Sequence, residues 1–220
     1  MTLSARLRDR AEPFWERELA HPFVQGLGDG TLQEEKFKVW LRQDYLFLIE
    51  YGRVLGLAVA RAEDLETMGR FADLLRATLR DEMDLHRRYA AKFGLTADDL
   101  EAAKPAPATR AYTDFLVRVG YEGPLAAMVA ALLPCAWGYA EIASKLAARD
   151  VTPADDRYQE WIRTYSSPEF VACGEWLREL LDDLSDSLSG ADQKRLAEIF
   201  LTASEHELRF WDMADRMEEE

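Results

Sequence analysis

The stretch "GPLAAMVAALLPCAWGYA", residues 123 to 140, decides the fold class because it carries no charged side chain over its whole length. An apolar run this long is also a candidate membrane span. However, it is rich in Ala and Gly, contains Pro134, lacks the Lys or Arg flank that orients a span, and lies between strongly amphipathic segments. We therefore expect the central helix of a bundle, covered by other helices on all sides.

The remainder of the chain has the pattern of an all-α protein. Alternating apolar and polar runs are few, and no Asn-Gly or Asp-Gly pair lies between two such runs. No internal repeat is visible. We predict a single helical domain over residues 1–220, a multi-helix bundle with helices at about 3–20, 31–62, 64–93, 96–103, 108–119, 124–149, 153–165, 168–188 and 191–217.

Capping residues mark several of these helix boundaries. Gly94 and Gly120 follow apolar runs and predict left-handed helix ends. Four helix starts are predicted from a hydroxyl side chain followed by proline or an acidic residue. These starts are Thr31 with Glu34, Thr152 with Pro153, Ser167 with Pro168, and Ser189 with Asp192.

Charge and cysteine content limit the classes of partner. The 220 residues include 27 basic and 41 acidic side chains, giving a formal net charge of −14. This charge repels nucleic acids and anionic membranes, so we expect neither as a partner and favour small molecules or proteins. Cys135 and Cys173 are the two cysteines, and the first residues have no basic-then-apolar leader. We therefore expect free thiols and a cytoplasmic location.

Cys135 is the first candidate functional residue. Pro134 lacks a backbone donor and its ring clashes with the carbonyl of Ala130, so we expect the helix to kink or pause beside the thiol. Tyr139 lies one turn further on and shares the face of Cys135. The alternative is that Cys135 is a small apolar core residue. For Cys173, which has aliphatic and Trp neighbours at helical spacing, we keep that interpretation.

Asp44 is the second candidate, in "WLRQDYLFLIEYGRV" at 40–54. It shares a helix stripe with Phe47 and Tyr51, so a carboxylate lies beside two aromatic rings. A buried Asp needs a partner. Either a ligand or a salt bridge to Arg42 or Arg53 satisfies this requirement.

Glu207 repeats this pattern in the C-terminal helix. It lies among apolar residues that include Phe200, Phe210 and Trp211. Its neighbours Glu205 and His206 cannot face the same side of the helix, so only part of this acidic cluster is expected to point inward.

Glu82 and His86, in "RDEMDLHRRY" at 80–89, have the i and i+4 spacing of metal ligands. Together with Glu205, His206 or Glu207 they suggest a di-iron centre in a bundle. Such a centre uses Glu-x-x-His on two helices, whereas here Glu-x-x-x-His occurs once. We therefore favour a solvated face with one satisfied histidine, and expect no metal.

The chain resembles the TenA family, also called thiaminase II or aminopyrimidine aminohydrolase, nearly from end to end. Several motifs occur in the family order, and the cysteine-containing branch fits. The resemblance implies a haem-oxygenase-like all-helical fold, assembly as a homotetramer, and hydrolysis of the aminomethyl-pyrimidine half of thiamin or of its breakdown products. The motifs are "HPFVQGLGDGTL" (21–32), "FKVWLRQDYLFL" (37–48), "DEMDLH" (81–86), "AYT" (111–113), "ALLPCAWGYAE" (131–141), "YQEWIRTYSS" (158–167) and "ELRFWDMA" (207–214).

The resemblance also implies the site residues. Cys135 matches the family nucleophile, Glu207 the catalytic glutamate, and Asp44 the carboxylate that binds the pyrimidine amino group. Family members can carry tyrosine where this chain has Phe47, so stacking on the ring is kept while a hydrogen bond is lost. The active-site tyrosines of the family match Tyr112, Tyr139 and Tyr165.

Three function classes follow. The first is a cofactor-free hydrolase of thiamin salvage that converts 4-amino-5-aminomethyl-2-methylpyrimidine to its hydroxymethyl counterpart, with thiamin as an alternative substrate. The second is a haem or di-iron oxygenase of the same fold, for which His21 and His86 are poor proximal ligands. The third is a regulatory protein that binds the pyrimidine without turnover; the acidic net charge and the lack of a recognition helix oppose a DNA-binding role.

Overall fold

A computed structural model describes residues 1–149 and 156–219, and helices joined by short loops make up most of these residues. No strand occurs in these two ranges, so the all-α prediction is confirmed. A π-helical turn, Ala77–Glu82, connects α4 to α5. The helices are α1 (Leu3–Leu19), α2 (Pro22–Asp29), α3 (Glu34–Arg61), α4 (Leu65–Arg76), α5 (Met83–Lys92), α6 (Ala97–Glu101), α7 (Pro107–Glu122), α8 (Leu125–Ala147), α9 (Asp156–Tyr165), α10 (Pro168–Ser185) and α11 (Gly190–Arg216).

The residues form two compact units, and helices α8 and α11 each contribute to both. The first unit comprises Met1–Gln33 and Val129–Asp212, and Trp161 and Trp211 are among its fully buried side chains. The second comprises Glu34–Met128 and Met213–Glu220, with a core that includes Trp40, Phe37 and Phe71. The single domain over residues 1–220 stays a prediction.

Helix α8 contains the uncharged stretch. It is long and apolar enough to cross a membrane, but 83% of its most apolar 18-residue window is buried within the protein. The helix also continues through Pro134, so the expected pause does not occur. The apolar surface of α8 is therefore covered by protein, as expected for a core helix.

Local sequence signals predicted some helix ends correctly. Ser167 caps α10 by accepting a hydrogen bond from the backbone N–H of Phe170, with Pro168 in the first turn. Ser189 accepts from the N–H of Asp192 at 3.2 Å, just before α11 begins. Gly94 has the predicted left-handed conformation, with φ of 76°. The predicted start at Thr152 and Pro153 lies outside the described residues.

Two boundary predictions were wrong. Thr31 does not cap α3, because its hydroxyl donates to Asp29 at 2.6 Å and α3 begins at Glu34. Gly120 does not end a helix, because α7 continues to Glu122. A Cβ at Gly120 would lie 3.0 Å from Leu57 Cδ1, so this glycine instead permits close packing of α7 on α3.

Helix α2 was not predicted. It starts with Pro22 in the first turn, and His21 serves as its N-cap. The Nδ1 atom of His21 accepts a hydrogen bond from the N–H of Phe23 at 3.2 Å. Histidine is not among the usual capping residues, so no capping signal predicted a helix here.

Candidate active site

The predicted site residues divide between the two units. Asp44, Phe47 and Tyr112 belong to the second unit, and all three are buried. Cys135 in the first unit is half-buried and forms no disulfide within the described residues. The other predicted residues of the first unit are buried: Tyr139, Tyr165 and Glu207.

Asp44 in the second unit is paired with a histidine. Its Oδ2 lies 2.6 Å from Nε2 of His86 on α5, and both side chains are buried. The predicted arginine partners are engaged elsewhere, since Arg42 binds Glu219 at 2.6 Å and Arg53 binds Glu50. The arginine interpretation of Asp44 was therefore wrong, and so was the solvated setting expected for His86.

The electrostatic surroundings of His86 favour its charged form. Burial alone would lower the pKa of His86, but the hydrogen bond and negative charge of Asp44, joined by the charge of Glu82, raise it above the usual value. Burial raises the pKa of Glu82 to about 7, with Asp44 adding to the rise and His86 opposing it. The protonation states of Glu82 and His86 in the second unit therefore depend on each other.

The π-helical turn Ala77–Glu82 immediately precedes the helix that carries His86. A π turn is wider than an α turn and often occurs at functional sites. Here its last residue, Glu82, offers its backbone carbonyl to Nδ1 of His86 at 3.1 Å. Gly52 of α3 lets this turn approach closely, because a Cβ there would lie 2.8 Å from Leu79 Cδ2.

Aromatic rings lie beside Asp44. Phe47, one turn further along α3, has its ring centroid 5.0 Å from that of Tyr112 on α7, with the planes tilted by 40°. Gln43 anchors the start of α7, because its Oε1 accepts from the Thr109 hydroxyl at 2.7 Å and from the Ala106 N–H at 2.9 Å. Phe47 and Tyr112, two of the predicted site residues, are therefore in contact, and Gln43 links α3 to the start of the helix that carries Tyr112.

The first unit contains a second aromatic group, centred on Tyr139 of α8. Its ring lies 5.1 Å from Tyr165, edge to face, and 5.1 Å from Trp211, stacked. Trp161 completes the group, 4.8 Å from Tyr165. Trp161 was not singled out from the sequence, although "YQEWIRTY" places it four residues before Tyr165 on one helix face.

Glu207 in the first unit has an acidic neighbour that the sequence did not reveal. Glu18 on α1 is 3% exposed, as is Glu207, and the charge of Glu207 acts on Glu18. Burial, followed by this charge, raises the pKa of Glu18 well above its usual value. Glu18 also lies against α8, where its Oε2 would be 3.9 Å from a Cβ at Gly138. The segment "FWERELA" has the pattern of an ordinary exposed helix end, so the burial of Glu18 could not be predicted from it.

Glu82 and His86, which have the spacing of metal ligands, are engaged in other contacts. Both ring nitrogens of His86 are engaged, by Asp44 and by the Glu82 carbonyl. His21 is also occupied, with Nδ1 capping α2 and Nε2 lying 3.5 Å from Asp212. Within residues 1–149 and 156–219, no group of three His, Cys, Asp or Glu side chains is arranged to hold a metal ion.

Comparison with known proteins identifies the family. The TENA/THI-4/PQQC family matches residues 8–217, so the chain belongs to this family. A protein named aminopyrimidine aminohydrolase from Halalkalibacterium halodurans is 46% identical, with 97% of this chain and 96% of the relative covered. One of the same name from Helicobacter pylori is 39% identical, with 97% of this chain and 99% of the relative covered. The predicted membership of the TenA family is confirmed.

Solved structures support the same conclusion. A TenA homologue from P. horikoshii OT3 is 32% identical and has a TM-score of 0.91, with 98% of this chain and 99% of that chain covered. A domain of unknown function from Shewanella denitrificans with a heme oxygenase-like fold has a TM-score of 0.74 at 15% identity, covering 97% of this chain and 92% of that chain. The predicted haem-oxygenase-like fold is confirmed.

Proposed function

We propose that this protein is a hydrolase of thiamin salvage that converts 4-amino-5-aminomethyl-2-methylpyrimidine and water to the hydroxymethylpyrimidine and ammonia. The observation that carries this proposal is that the buried carboxyl group of Asp44 lies on the same helix as Phe47, whose ring contacts that of Tyr112, which is what recognition of a flat aminopyrimidine requires. The two near-full-length relatives named aminopyrimidine aminohydrolase support it. Thiamin, which carries the same pyrimidine, is an alternative substrate.

In this proposal, residues of the second unit recognise the pyrimidine. Asp44 accepts a hydrogen bond from the exocyclic amino group, because a carboxylate is a strong acceptor in a buried setting. Phe47 and Tyr112 provide the aromatic surface against which the ring stacks. Phenylalanine at position 47 adds no polar group, so the Asp44 carboxylate provides the orientation on this side.

Residues of the first unit perform the chemistry. The Cys135 thiolate adds to the ring carbon next to the one that bears the aminomethyl arm, while Glu207 protonates a ring nitrogen. The electron pair gained by the ring then expels ammonia from the protonated arm, and the ring nitrogen returns its proton to Glu207. Water adds to the exposed methylene carbon while Glu207 again protonates the ring nitrogen and then accepts the proton that water loses. The thiolate departs, the ring nitrogen releases its proton to the free ammonia, and the ring regains its aromaticity. Tyr139 and Tyr165, whose rings lie 5.1 Å apart, are assigned to the substrate pocket by the family resemblance, and no step requires a metal or an organic cofactor.

Two features argue against the alternative functions. A haem or di-iron oxygenase requires an available histidine, whereas His86 and His21 are both engaged. A pyrimidine-binding regulator that acts on DNA requires a basic surface, and the net charge of −14 opposes this. We also propose that the protein is cytoplasmic and that it assembles as a homotetramer. Light scattering on the purified protein would test the homotetramer.

Mass spectrometry would test the hydrolase directly. The purified protein is incubated with the aminomethylpyrimidine and, in parallel, with thiamin, and the hydroxymethylpyrimidine is quantified. We expect turnover of the aminomethyl compound, together with release of one ammonia per product. The absence of product from both substrates would refute the proposed function, and binding without product would favour a regulatory protein.

A further inference from the structure

His86 has no role in the reaction described above, yet it contacts the carboxylate proposed to hold the substrate. We infer that His86 is a positioning residue: its imidazolium holds Oδ2 of Asp44 so that Oδ1 points to the amino group of the pyrimidine. This inference rests on the proposed function.

The hydrogen bonds of His86 fix its proton count. Nδ1 lies 3.1 Å from the carbonyl oxygen of Glu82, which can only accept, so Nδ1 carries a proton. A neutral ring would then turn the lone pair of Nε2 towards Oδ2 of Asp44 at 2.6 Å, and two acceptors would face each other. The short contact therefore requires a further proton between Nε2 and Oδ2. An imidazolium donating to a carboxylate satisfies both contacts.

The charges around His86 agree with this assignment. The charged groups that act on it are Asp44 from α3 and Glu82 from the π-helical turn, and both are acidic. They raise the pKa of His86 despite its burial. The ring of Trp40 also packs against His86, with the two ring centroids 5.8 Å apart. Trp40 carries no titratable group. The protonated ring is therefore the stable form in this setting.

The same contacts fix the orientation of Asp44. A carboxylate on a single methylene can rotate, and a partner bound to one oxygen removes this freedom. His86 is the hydrogen-bond partner of Asp44 within the described residues, and it binds only Oδ2. Oδ1 is left as the acceptor for a ligand N–H group. His86 itself is held by the Glu82 carbonyl and by Trp40. The packing of α3 and the π-helical turn therefore sets the orientation of the Asp44 carboxylate.

Two substitutions of His86 distinguish a role in orienting Asp44 from a role in filling space. In His86→Gln the side-chain amide reaches the place of Nε2 and still donates to Asp44, whereas in His86→Asn the shorter side chain does not. We expect His86→Asn to raise KM for the aminomethylpyrimidine and Kd for the hydroxymethyl product about tenfold, with a smaller change in kcat. His86→Gln should retain both constants to within about threefold. His206→Gln on α11 is the matched control and should change neither.

NMR spectroscopy of the wild-type protein measures how many protons the His86 ring carries, without any assay of activity. The chain has three histidines, so selective ¹⁵N labelling gives few imidazole signals, and His86→Gln assigns one of them. We expect both nitrogens of His86 to be protonated at neutral pH, and Asp44→Asn to abolish this signature. Loss of catalysis by the wild type would refute the proposed function but would leave this signature intact.

Two results would overturn the positioning role. A neutral His86 ring in the wild type would remove its physical basis. Equal KM and Kd in wild type and His86→Asn, or an equal loss in the Asn and Gln variants when both fold, would show that the hydrogen bond to Asp44 does not orient the substrate. If the Asn variant does not fold, retention of Kd by His86→Gln still supports the role, and a tenfold loss contradicts it.

Discussion

Glu18 on α1 and Glu207 on α11 are two buried carboxyl groups of the first unit, and the charge of Glu207 raises the pKa of Glu18. Trp211 and Arg8 act to lower the pKa of Glu18, but they do not cancel the rise. The Trp211 indole N–H approaches Glu18 without completing a hydrogen bond, and Arg8 is bound to Glu141 at 2.8 Å. Glu18 therefore keeps its proton in the folded protein at a pH where an exposed glutamate has lost it.

Glu18→Gln should make the protein more stable at pH 8. Since the folded protein holds the Glu18 proton more tightly than the unfolded chain, it binds more protons between the unfolded pKa and the raised folded pKa. The stability of the wild type therefore falls as the pH rises through this window. The neutral amide avoids that loss, and we expect a gain of about 1–2 kcal/mol at pH 8 that shrinks towards pH 4.

Urea unfolding of the two proteins between pH 4 and 8 would measure this difference. Glu16→Gln is the matched control, because Glu16 lies on the same helix but is exposed. Parallel stability curves for wild type and Glu18→Gln would contradict a raised pKa of Glu18 in the folded state.

Local patterns in the sequence predicted the helices well, because periodicity, capping hydroxyls and prolines act within a few residues. They failed where a residue serves a distant contact. Gly120 was predicted to end a helix, but it lies within α7 where this helix packs closely against Leu57 of α3. The partner of Asp44 shows the same limit, since His86 is 42 residues away and no pattern on α3 reveals it.

The site residues were predicted through the family motifs, and the structure adds the contacts between them. The pairs Phe47 with Tyr112 and Tyr139 with Tyr165 are separated widely in sequence, so only the folded chain reveals them. Glu18 could not be predicted, because its burial depends on the packing of α1 against other helices of the first unit. The roles of Cys135 and Glu207 stay predictions.

Cys135→Ser should lose most turnover, by about a thousandfold or more in kcat, because a hydroxyl is a far weaker nucleophile than a thiolate near neutral pH. Product binding should persist, since the aromatic rings and Asp44 remain. Isothermal titration with the hydroxymethylpyrimidine, alongside steady-state kinetics, would measure both quantities.

Cys173→Ser is the control for this experiment, because Cys173 is also half-buried but lies on α10. It should change kcat little. If both serine variants lose the same activity while circular dichroism shows intact helices, Cys135 is not the nucleophile.

Asp44→Asn and Glu207→Gln should have different kinetic profiles. Asp44 is proposed to bind the amino group, so its amide should raise KM and lower kcat together. Glu207 is proposed to move a proton, so Glu207→Gln should lower kcat by about 10²–10⁴ with a smaller change in KM. Full kinetic constants for both variants would decide the matter, and identical profiles would argue against separate roles.

Chelation of metal ions should leave the hydrolysis unchanged. Glu82 and His86 have the spacing of a ligand pair, but a metal at His86 would have to displace either Asp44 or the Glu82 carbonyl from a ring nitrogen. Cysteine addition to a protonated ring also requires no Lewis acid, whereas a hydrolytic metal site needs about three converging protein ligands and an open position for water. Activity should therefore survive dialysis against EDTA, and metal analysis of the active protein should find far less than one ion per chain. Activity that disappears on chelation and returns with iron or zinc would instead favour a metallohydrolase or an oxygenase.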